Sequence, residues 1–300
     1  MSSADEFKRR LTDGPPLLLD SAMGTELARR GSKTVLPLWS AWALLETPET
    51  VLAIHRAELS AGAEVLTANT FRTHRRSLEK SGFRERAAEL TARAVALARR
   101  AASRAGREVL VAGSLAPLED CYRPELAPDD AALASEHAAQ AQALAVAGAD
   151  VILAETHNSV RELAAATRAA AATGLPVVTS FVTDGGGRLL SGESIEDAAR
   201  AAVGAGADAV AVNCVPGRRL APDLARVASA LQGKPLGAWG NLGPPTDENE
   251  TRFEAEIPPE DYAALAREWI ALGARLVGGC CGTTAAHTAA MRAMLDGLMR

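Results

Sequence analysis

Short runs rich in valine, leucine and isoleucine alternate with longer alanine-rich stretches from one end of the chain to the other. The short runs are typical of strands that are buried on both faces. The longer stretches favour helices, because alanine, leucine, glutamate and arginine have high helix propensities. This alternation predicts repeated βα units, and therefore a parallel sheet that is covered by helices.

Eight of the short runs are predicted to be strands, and each is followed by a predicted helix. The predicted strands are Leu17–Asp20, Val65–Asn69, Val109–Gly113, Val151–Glu155, Val177–Phe181, Ala209–Cys214, Leu236–Trp239 and Leu276–Cys280. The predicted helices are Pro48–Ser60, Phe83–Ser103, Asp129–Ala147, Val160–Ala172, Ile195–Val203, Pro222–Leu231, Pro259–Ala271 and Ala285–Leu298.

Eight evenly spaced units predict an α/β fold, a single (β/α)8 barrel of the TIM type. We expect one domain over residues 1–300, in which residues 1–15 form a polar N-terminal segment. The alternative architecture is an open doubly wound sheet. That fold usually carries a glycine-rich phosphate-binding motif after its first strand, and the first predicted strand of this chain lacks one.

A four-residue motif with glycine in second place precedes four of the predicted strands. Its copies are Ala61–Glu64, Ala147–Asp150, Ala205–Asp208 and Leu272–Arg275. We expect each glycine to adopt a left-handed conformation just after the preceding helix, which lets the chain turn back toward the sheet. Nothing resembling a flexible linker divides the chain, although Leu242–Pro259 is predicted to form a long ordered loop.

The composition excludes two classes of partner. Charged residues make up 23% of the 300 residues and the net charge is −5, so no broad basic surface is available for nucleic acid. The N-terminus lacks an apolar segment, and no stretch approaches the roughly 20 apolar residues that a membrane span requires. We therefore expect a cytoplasmic protein that acts on small molecules, while its oligomeric state stays open.

Three cysteines follow two of the predicted strands. Cys214 ends the sixth strand, and Cys280 and Cys281 end the eighth. The active sites of such barrels lie at the C-terminal ends of the strands, so the three sulfurs can converge. Zinc accepts thiolate ligands in tetrahedral geometry, and three protein ligands leave its fourth position open for catalysis. The sequence predicts a catalytic zinc site, whereas Cys121 is expected to pack or to remain an unpaired thiol.

An open position on such a zinc site favours a sulfur substrate. A thiol bound there loses its proton, and the thiolate is the form that attacks carbon. This chemistry suits alkyl transfer to sulfur better than hydrolysis. Asp20 and Glu155 end the first and fourth strands, where their carboxylates could pair with a substrate ammonium. The alternative role for each carboxylate is to cap the N-terminus of a helix.

Further polar and aromatic residues follow the strands. Asn69 and Thr70 are candidates for orienting the substrate, although local turn bonding explains each almost as well. Phe71, Tyr122 and Trp239 are candidates for contacts between an aromatic face and a cationic alkyl donor.

Three other residues near the strand ends are assigned structural roles. His157 is expected to be structural or solvent-facing, because three sulfurs already satisfy the metal. Thr283 and Thr284 are predicted to cap the last helix.

Five motif segments are spread over nearly the whole chain: Leu18–Leu27, Thr67–Phe71, Glu155–Thr156, Val212–Cys214 and Gly278–Thr284. Together they resemble the homocysteine S-methyltransferases. This family includes betaine-dependent and S-methylmethionine-dependent enzymes and the homocysteine module of cobalamin-dependent methionine synthase. The resemblance implies a zinc-dependent barrel that methylates homocysteine to methionine.

The resemblance also implies roles for individual residues. It implies that the zinc ligands are Cys214, Cys280 and Cys281, that Asp20 and Glu155 help to bind the substrate amino group, and that the backbone of Ser21 and Ala22 receives the substrate carboxylate. Ser21 stands where many relatives have glycine, so the backbone there must avoid the left-handed region.

The donor and acceptor remain open at this stage. S-methylmethionine is the favoured methyl donor, with S-adenosylmethionine as a second. Betaine or a dimethylsulfonium compound as donor, selenocysteine or another thiol as acceptor, and a role as the homocysteine-binding subunit of a methionine synthase are alternatives. Two other classes are a metal-binding scaffold protein without catalysis and a zinc hydrolase, although the five histidines form no ligand-like cluster along the sequence.

Overall fold

A computed structural model describes residues 3–243 and 257–299 of the chain. Its eight strands form one parallel sheet. They are β1 (Leu17–Leu18), β2 (Val65–Ala68), β3 (Leu110–Leu115), β4 (Val151–His157), β5 (Val177–Phe181), β6 (Ala209–Pro216), β7 (Leu236–Asn241) and β8 (Ala274–Gly279). Every predicted strand is present, and the differences are confined to the strand ends.

The first and second strands close the sheet into a barrel. The strands are hydrogen-bonded in the order β1-β8-β7-β6-β5-β4-β3-β2, and Leu19, just after β1, pairs with Val65 of β2. The backbone N–H of Asp20 donates to the carbonyl of Val65 at 3.0 Å, and the N–H of Glu64 donates to the carbonyl of Leu18 at 2.8 Å. These contacts confirm the predicted (β/α)8 barrel and rule out the open doubly wound sheet.

The described residues contain twelve α-helices. They are α1 (Ser3–Thr12), α2 (Met23–Arg29), α3 (Trp42–Glu46), α4 (Pro48–Ser60), α5 (Arg75–Glu79), α6 (Ala87–Ala102), α7 (Asp130–Val146), α8 (Val160–Ala171), α9 (Ile195–Gly204), α10 (Leu220–Ala230), α11 (Pro259–Ala271) and α12 (Ala285–Leu298). The predicted helices correspond to α4 and α6 to α12. The largest difference is at α6, where Arg84–Arg86 form a separate 3₁₀ turn.

Helix α1 covers the end of the barrel at which the strands begin. The sequence analysis assigned no helix to this polar segment. Phe7 and Leu11 of α1 are nonetheless buried, in a cluster that includes Leu17 and Val65 from the starts of β1 and β2. An ion pair of 3.1 Å between Lys8 and Asp208 adds an exposed contact. The opposite end of the barrel, where the strands finish, is therefore the end that is left for a site.

Four glycines make the predicted turns from helix to strand. Their φ angles are positive: 104° at Gly62, 88° at Gly148, 108° at Gly206 and 104° at Gly273. This left-handed conformation costs glycine little, because glycine has no Cβ, and it ends each helix before the next strand. The prediction made from the repeated motif is confirmed.

Most of the loop predicted at Leu242–Pro259 lies outside the described residues. Within the part of the chain that the structure describes, no helix combines the length and the apolar character needed to span a bilayer.

Candidate active site

A cavity opens where the strands end, and most of the predicted site residues line it. The lining includes Asp20, Ser21, Ala22, Asn69, Phe71, Tyr122, Glu155, Cys214, Trp239, Cys280 and Cys281. Thr70 is the exception. Its side chain is buried, its hydroxyl donates to the carbonyl of Ser114 at 2.9 Å, and it accepts from the N–H of Ser114 at 2.9 Å. Thr70 therefore ties the end of β2 to β3 and does not itself line the cavity, so a role in orienting the substrate stays a prediction.

The three predicted metal-binding cysteines form one cluster in this cavity. The Sγ atom of Cys214 lies 2.9 Å from that of Cys280 and 3.8 Å from that of Cys281, and all three sulfurs lie within 4.8 Å of one another. No disulfide joins them. The cluster offers three thiolate ligands to a single metal ion. The sulfur of Cys121 is not part of it, although Cys121 is buried at the cavity wall.

An unusual backbone conformation places Cys214. Its φ angle is +56°, and that of Thr156 on the neighbouring part of the barrel is +62°. Both residues lie where the strand register shifts, at the ends of β4 and β6. The side chain of Asn213 links them, since it donates to the Thr156 hydroxyl at 2.8 Å and accepts from the Thr156 N–H at 3.2 Å. Left-handed residues other than glycine are costly and concentrate at functional sites.

Close backbone packing places Cys280 and Cys281. A Cβ atom at Gly278 would lie 2.5 Å from the Cβ of Leu19, and one at Gly279 would lie 2.2 Å from the Thr283 hydroxyl oxygen. A side chain at Gly278 would push β8 away from the segment that follows β1, and one at Gly279 would displace the side chain of Thr283. The two glycines therefore let the cysteines approach the sulfur of β6.

Hydrogen bonds among the three sulfurs favour the thiolate form of one cysteine and the thiol form of its neighbours. A hydrogen bond from the Cys280 thiol lowers the pKa of Cys214 well below its usual value, and the hydroxyl of Tyr122 also lies 3.7 Å from the Cys214 sulfur. The same contact raises the pKa of Cys280. The site thus stabilises one thiolate by itself, whereas a bound cation would be needed to hold all three cysteines as thiolates.

Two carboxylates face the same cavity. Asp20 lies at the closure of the barrel, where it accepts a hydrogen bond from the N–H of Thr67 at 2.8 Å. Burial raises the pKa of Asp20, and the nearby carboxylate of Glu58 raises it further. Withdrawal from bulk water raises the pKa of Glu155 to about 7. Their charges are costly without a cation, so a positively charged group in the cavity would be stabilised by both.

A buried network that the sequence analysis missed supports the loop after Asp20. Glu58 on α4 accepts hydrogen bonds from the Thr288 hydroxyl at 2.7 Å and from the N–H of Ser21 at 3.2 Å. The hydroxyls of Ser21 and Thr288 are 2.7 Å apart. Glu58 lies four residues after Ile54, on the buried face of the helix, so helical periodicity could have revealed a buried acid.

The network occupies backbone groups that were predicted to bind the substrate. The N–H of Ser21 points to Glu58, and the N–H of Ala22 donates to the Thr283 hydroxyl at 3.3 Å. The φ angle of Ser21 is not positive, so the backbone avoids the left-handed region, as serine in place of glycine requires. A carboxylate would have to displace these partners to reach either N–H group.

The substitution Glu58→Gln is expected to stabilise the protein at pH 8 but not at pH 5. Burial raises the pKa of Glu58 from 4.5 to about 7. The protonated acid therefore favours the folded state, and that contribution is lost as the pH rises through about 7. The pKa difference corresponds to about 3 kcal/mol at most.

Thermal unfolding at the two pH values measures this effect. Glu49→Gln changes an exposed residue of the same helix and provides the matched control. An equal change in Tm at both pH values for Glu58→Gln would contradict the expectation.

The aromatic residues of the cavity differ in their contacts. The hydroxyl of Ser114 and the indole N–H of Trp239 lower the pKa of Glu155, which partly offsets the effect of burial. Phe71 contributes only its aromatic ring to the cavity wall, and the guanidinium carbon of Arg72 lies 5.1 Å from the centroid of that ring. The indole of Trp39, which the sequence analysis missed, also lines the cavity.

His157 and Thr284 have structural roles. His157 is fully buried, with its ring centroid 5.8 Å from that of His137, and burial lowers its pKa to about 3. The structural role predicted for His157 is thus confirmed, and its possible exposure to solvent is ruled out. Thr284 forms a capping box with His287 at the start of α12, as predicted.

Comparisons with known proteins identify the family of this chain. The sequence model of the homocysteine S-methyltransferase family matches residues 17–295. The chain is 31% identical to homocysteine S-methyltransferase from Escherichia coli K12 over 314 aligned residues, which cover 98% of this chain and 99% of that protein. It is 30% identical to homocysteine S-methyltransferase 2 from Zea mays over 309 residues, covering 94% and 91% of the two chains.

A solved structure of a homocysteine methyltransferase also matches this chain. The crystal structure of the homocysteine methyltransferase MmuM from Escherichia coli in its metallated form matches with a TM-score of 0.80 and 30% identity, covering 94% of this chain and 97% of that chain. The chain therefore belongs to the homocysteine S-methyltransferase family.

Proposed function

We propose that this chain transfers a methyl group from an onium donor to the sulfur of homocysteine, with zinc held by Cys214, Cys280 and Cys281. The observation that carries this proposal is the meeting of three sulfurs and the carboxylates of Asp20 and Glu155 in one cavity. A substrate with a thiol and an ammonium group fits this cavity, because its thiol suits the metal held by the sulfurs and its ammonium group suits the carboxylates.

The sulfur spacing supports zinc as the metal. Sulfurs bound tetrahedrally at about 2.3 Å from zinc lie about 3.8 Å apart. The distance between Cys214 and Cys281 is 3.8 Å, whereas Cys214 and Cys280 are 2.9 Å apart and would have to separate. A ligand set of three sulfurs also favours zinc over magnesium or calcium, which prefer oxygen.

Each group of the site has a part in the proposed reaction. With zinc bound, a substrate thiol would lose its proton and become the thiolate that attacks the methyl carbon. Asp20 and Glu155 would hold the substrate ammonium, and Trp239 would orient the Glu155 carboxylate through its indole. The methyl carbon forms a bond to the homocysteine sulfur as its bond to the donor breaks, and the donor leaves as a neutral molecule.

S-methylmethionine is the proposed donor, with S-adenosylmethionine used less efficiently. Selenocysteine is the second candidate acceptor, because the chain is 28% identical to a protein described as selenocysteine methyltransferase from Astragalus bisulcatus. A role as the homocysteine-binding part of a larger system is a further candidate, since the chain is 30% identical to methionine synthase from Mycobacterium tuberculosis over 22% of that protein.

A panel of methyl donors tests the proposal. Zinc-loaded protein is incubated with homocysteine and S-methylmethionine, S-adenosylmethionine, betaine or a dimethylsulfonium compound, and methionine is quantified. We expect the highest kcat/KM with S-methylmethionine. The same panel with selenocysteine ranks the two acceptors. Absence of methyl transfer from every donor would refute the proposal.

Phe71→Leu is expected to raise the KM of a sulfonium donor by about 3- to 10-fold and to leave the KM of homocysteine unchanged. Phe71 offers its ring to the cavity, and a cation over an aromatic face gains roughly 0.5–2 kcal/mol. Steady-state kinetics with each substrate varied in turn measure the two KM values. Trp239→Phe is the matched comparison and should mainly raise the KM of homocysteine, because the indole contacts Glu155. An unchanged donor KM for Phe71→Leu would remove Phe71 from the donor site.

A further inference from the structure

Arg72 is the one buried basic residue among the lysines and arginines that the structure describes. Its relative exposure is 6%, and it follows β2 at the wall of the active-site cavity. No described carboxylate forms an ion pair with it. A guanidinium withdrawn from water without a counter-ion is costly, so its burial points to an anion that arrives with a ligand.

The cavity provides a charge pattern for such a ligand. Among the described lining residues, the charged ones are Asp20, Asp120, Glu155 and Arg72. The acids suit an ammonium or an onium centre, and Arg72 supplies the positive charge. Amino-acid substrates carry both kinds of group, so this wall complements a zwitterion better than a simple cation.

One N–H group of the Arg72 guanidinium is hydrogen-bonded to the protein, and at least one other has no protein partner among the described residues. Its Nη1 donates to the carbonyl of Glu119 at 2.7 Å, and its Nε has no hydrogen-bond partner among the described residues. A guanidinium has five N–H donors in a planar fork, which matches the two oxygens of a carboxylate. Glu119 belongs to the loop that also carries Tyr122, whose hydroxyl lies 3.7 Å from the Cys214 sulfur. Arg72, which follows β2, is therefore anchored to the loop after β3 that reaches the sulfur cluster.

Carboxylate recognition elsewhere in the cavity is limited. The backbone N–H groups of Ser21 and Ala22 already have protein partners in Glu58 and Thr283. A substrate carboxylate that binds without disturbing this network needs another donor, and Arg72 is the charged one available.

We propose that Arg72 binds a substrate carboxylate in the active-site cavity and thereby selects amino-acid substrates over analogues that lack this group. The proposal rests on the proposed function. The carboxylate belongs either to homocysteine or to the methyl donor, and the two sources have the same chemistry at Arg72.

Binding calorimetry on the zinc-loaded protein separates the two sources. Homocysteine is compared with 3-aminopropane-1-thiol, and S-methylmethionine with (3-aminopropyl)dimethylsulfonium, each analogue lacking only the carboxylate. Arg72→Met is expected to weaken one carboxylate ligand about 10-fold or more and to leave its analogue within about twofold. Arg72→Lys keeps the charge without the fork and should give an intermediate loss.

Arg76→Met is the matched control, because Arg76 also contacts Glu119 but does not line the cavity. It should leave all four affinities unchanged. If Arg72→Met weakens the ligands and their analogues equally, or weakens none, Arg72 has only a structural role and the inference is wrong while the proposed function stands. If the unmodified protein binds neither homocysteine nor S-methylmethionine, both proposals fail.

Discussion

Cys280→Ser is expected to lower zinc affinity by more than about 100-fold and to reduce methyl transfer to background. Disturbing a group that merely supports a metal ligand typically costs about 10- to 100-fold, and loss of a ligand costs more. Serine is nearly isosteric, but its neutral hydroxyl is a poor zinc ligand compared with a thiolate. The Cys280 side chain is partly open to the cavity, so the barrel should still fold.

Zinc content after gel filtration and kcat/KM with homocysteine measure the two effects. Cys214→Ser and Cys281→Ser should behave like Cys280→Ser, because all three sulfurs lie within 4.8 Å of one another. Cys121→Ser is the control for zinc content, since its sulfur is outside the cluster. A Cys280→Ser protein that retains one zinc per chain would show that the sulfurs do not act together.

Glu155→Gln is expected to lower kcat/KM for homocysteine by about 10- to 100-fold. The substitution keeps the shape of the side chain and removes the charge that would pair with the substrate ammonium. A hydrogen bond to a charged group contributes roughly 1.5–3 kcal/mol, which corresponds to that range. Steady-state kinetics with homocysteine give the primary measurement.

A second substrate shows whether the loss arises at the ammonium. 4-Mercaptobutanoate is homocysteine without its amino group, so Glu155→Gln should change its kcat/KM little. The two changes, one in the protein and one in the substrate, should therefore be strongly non-additive. Equal losses with both thiols would mean that Glu155 supports the cavity and does not contact the ammonium.

Several features of this protein could be predicted because they depend on local patterns. The eight βα units follow from the alternation of apolar runs and helix-forming stretches, and the left-handed glycines follow from the repeated motif before four strands. The closed barrel then brings strand ends together at one end. For that reason the meeting of Cys214 with Cys280 and Cys281 could be inferred from the order of the strands.

Other features depend on contacts between distant parts of the chain. The burial of Phe7 and Leu11 in α1 depends on the floor of the barrel, which a polar sequence segment does not reveal. The side chain of Thr70 could have faced the cavity or the neighbouring strand, and its bonds to Ser114 decided between them. Strand register and side-chain direction at these ends are set by packing.

The sequence by itself determined the barrel, the family and most of the residues that reach the open end, because these follow from periodicity and from strand order. The tertiary structure alone decided which other residues contact or surround them. It placed Glu58 beneath Ser21 and buried Arg72 in the cavity wall. The physical reason is that desolvation and hydrogen bonding depend on residues that are distant in the sequence. The identity of a charged residue therefore does not show whether its charge faces water or a ligand.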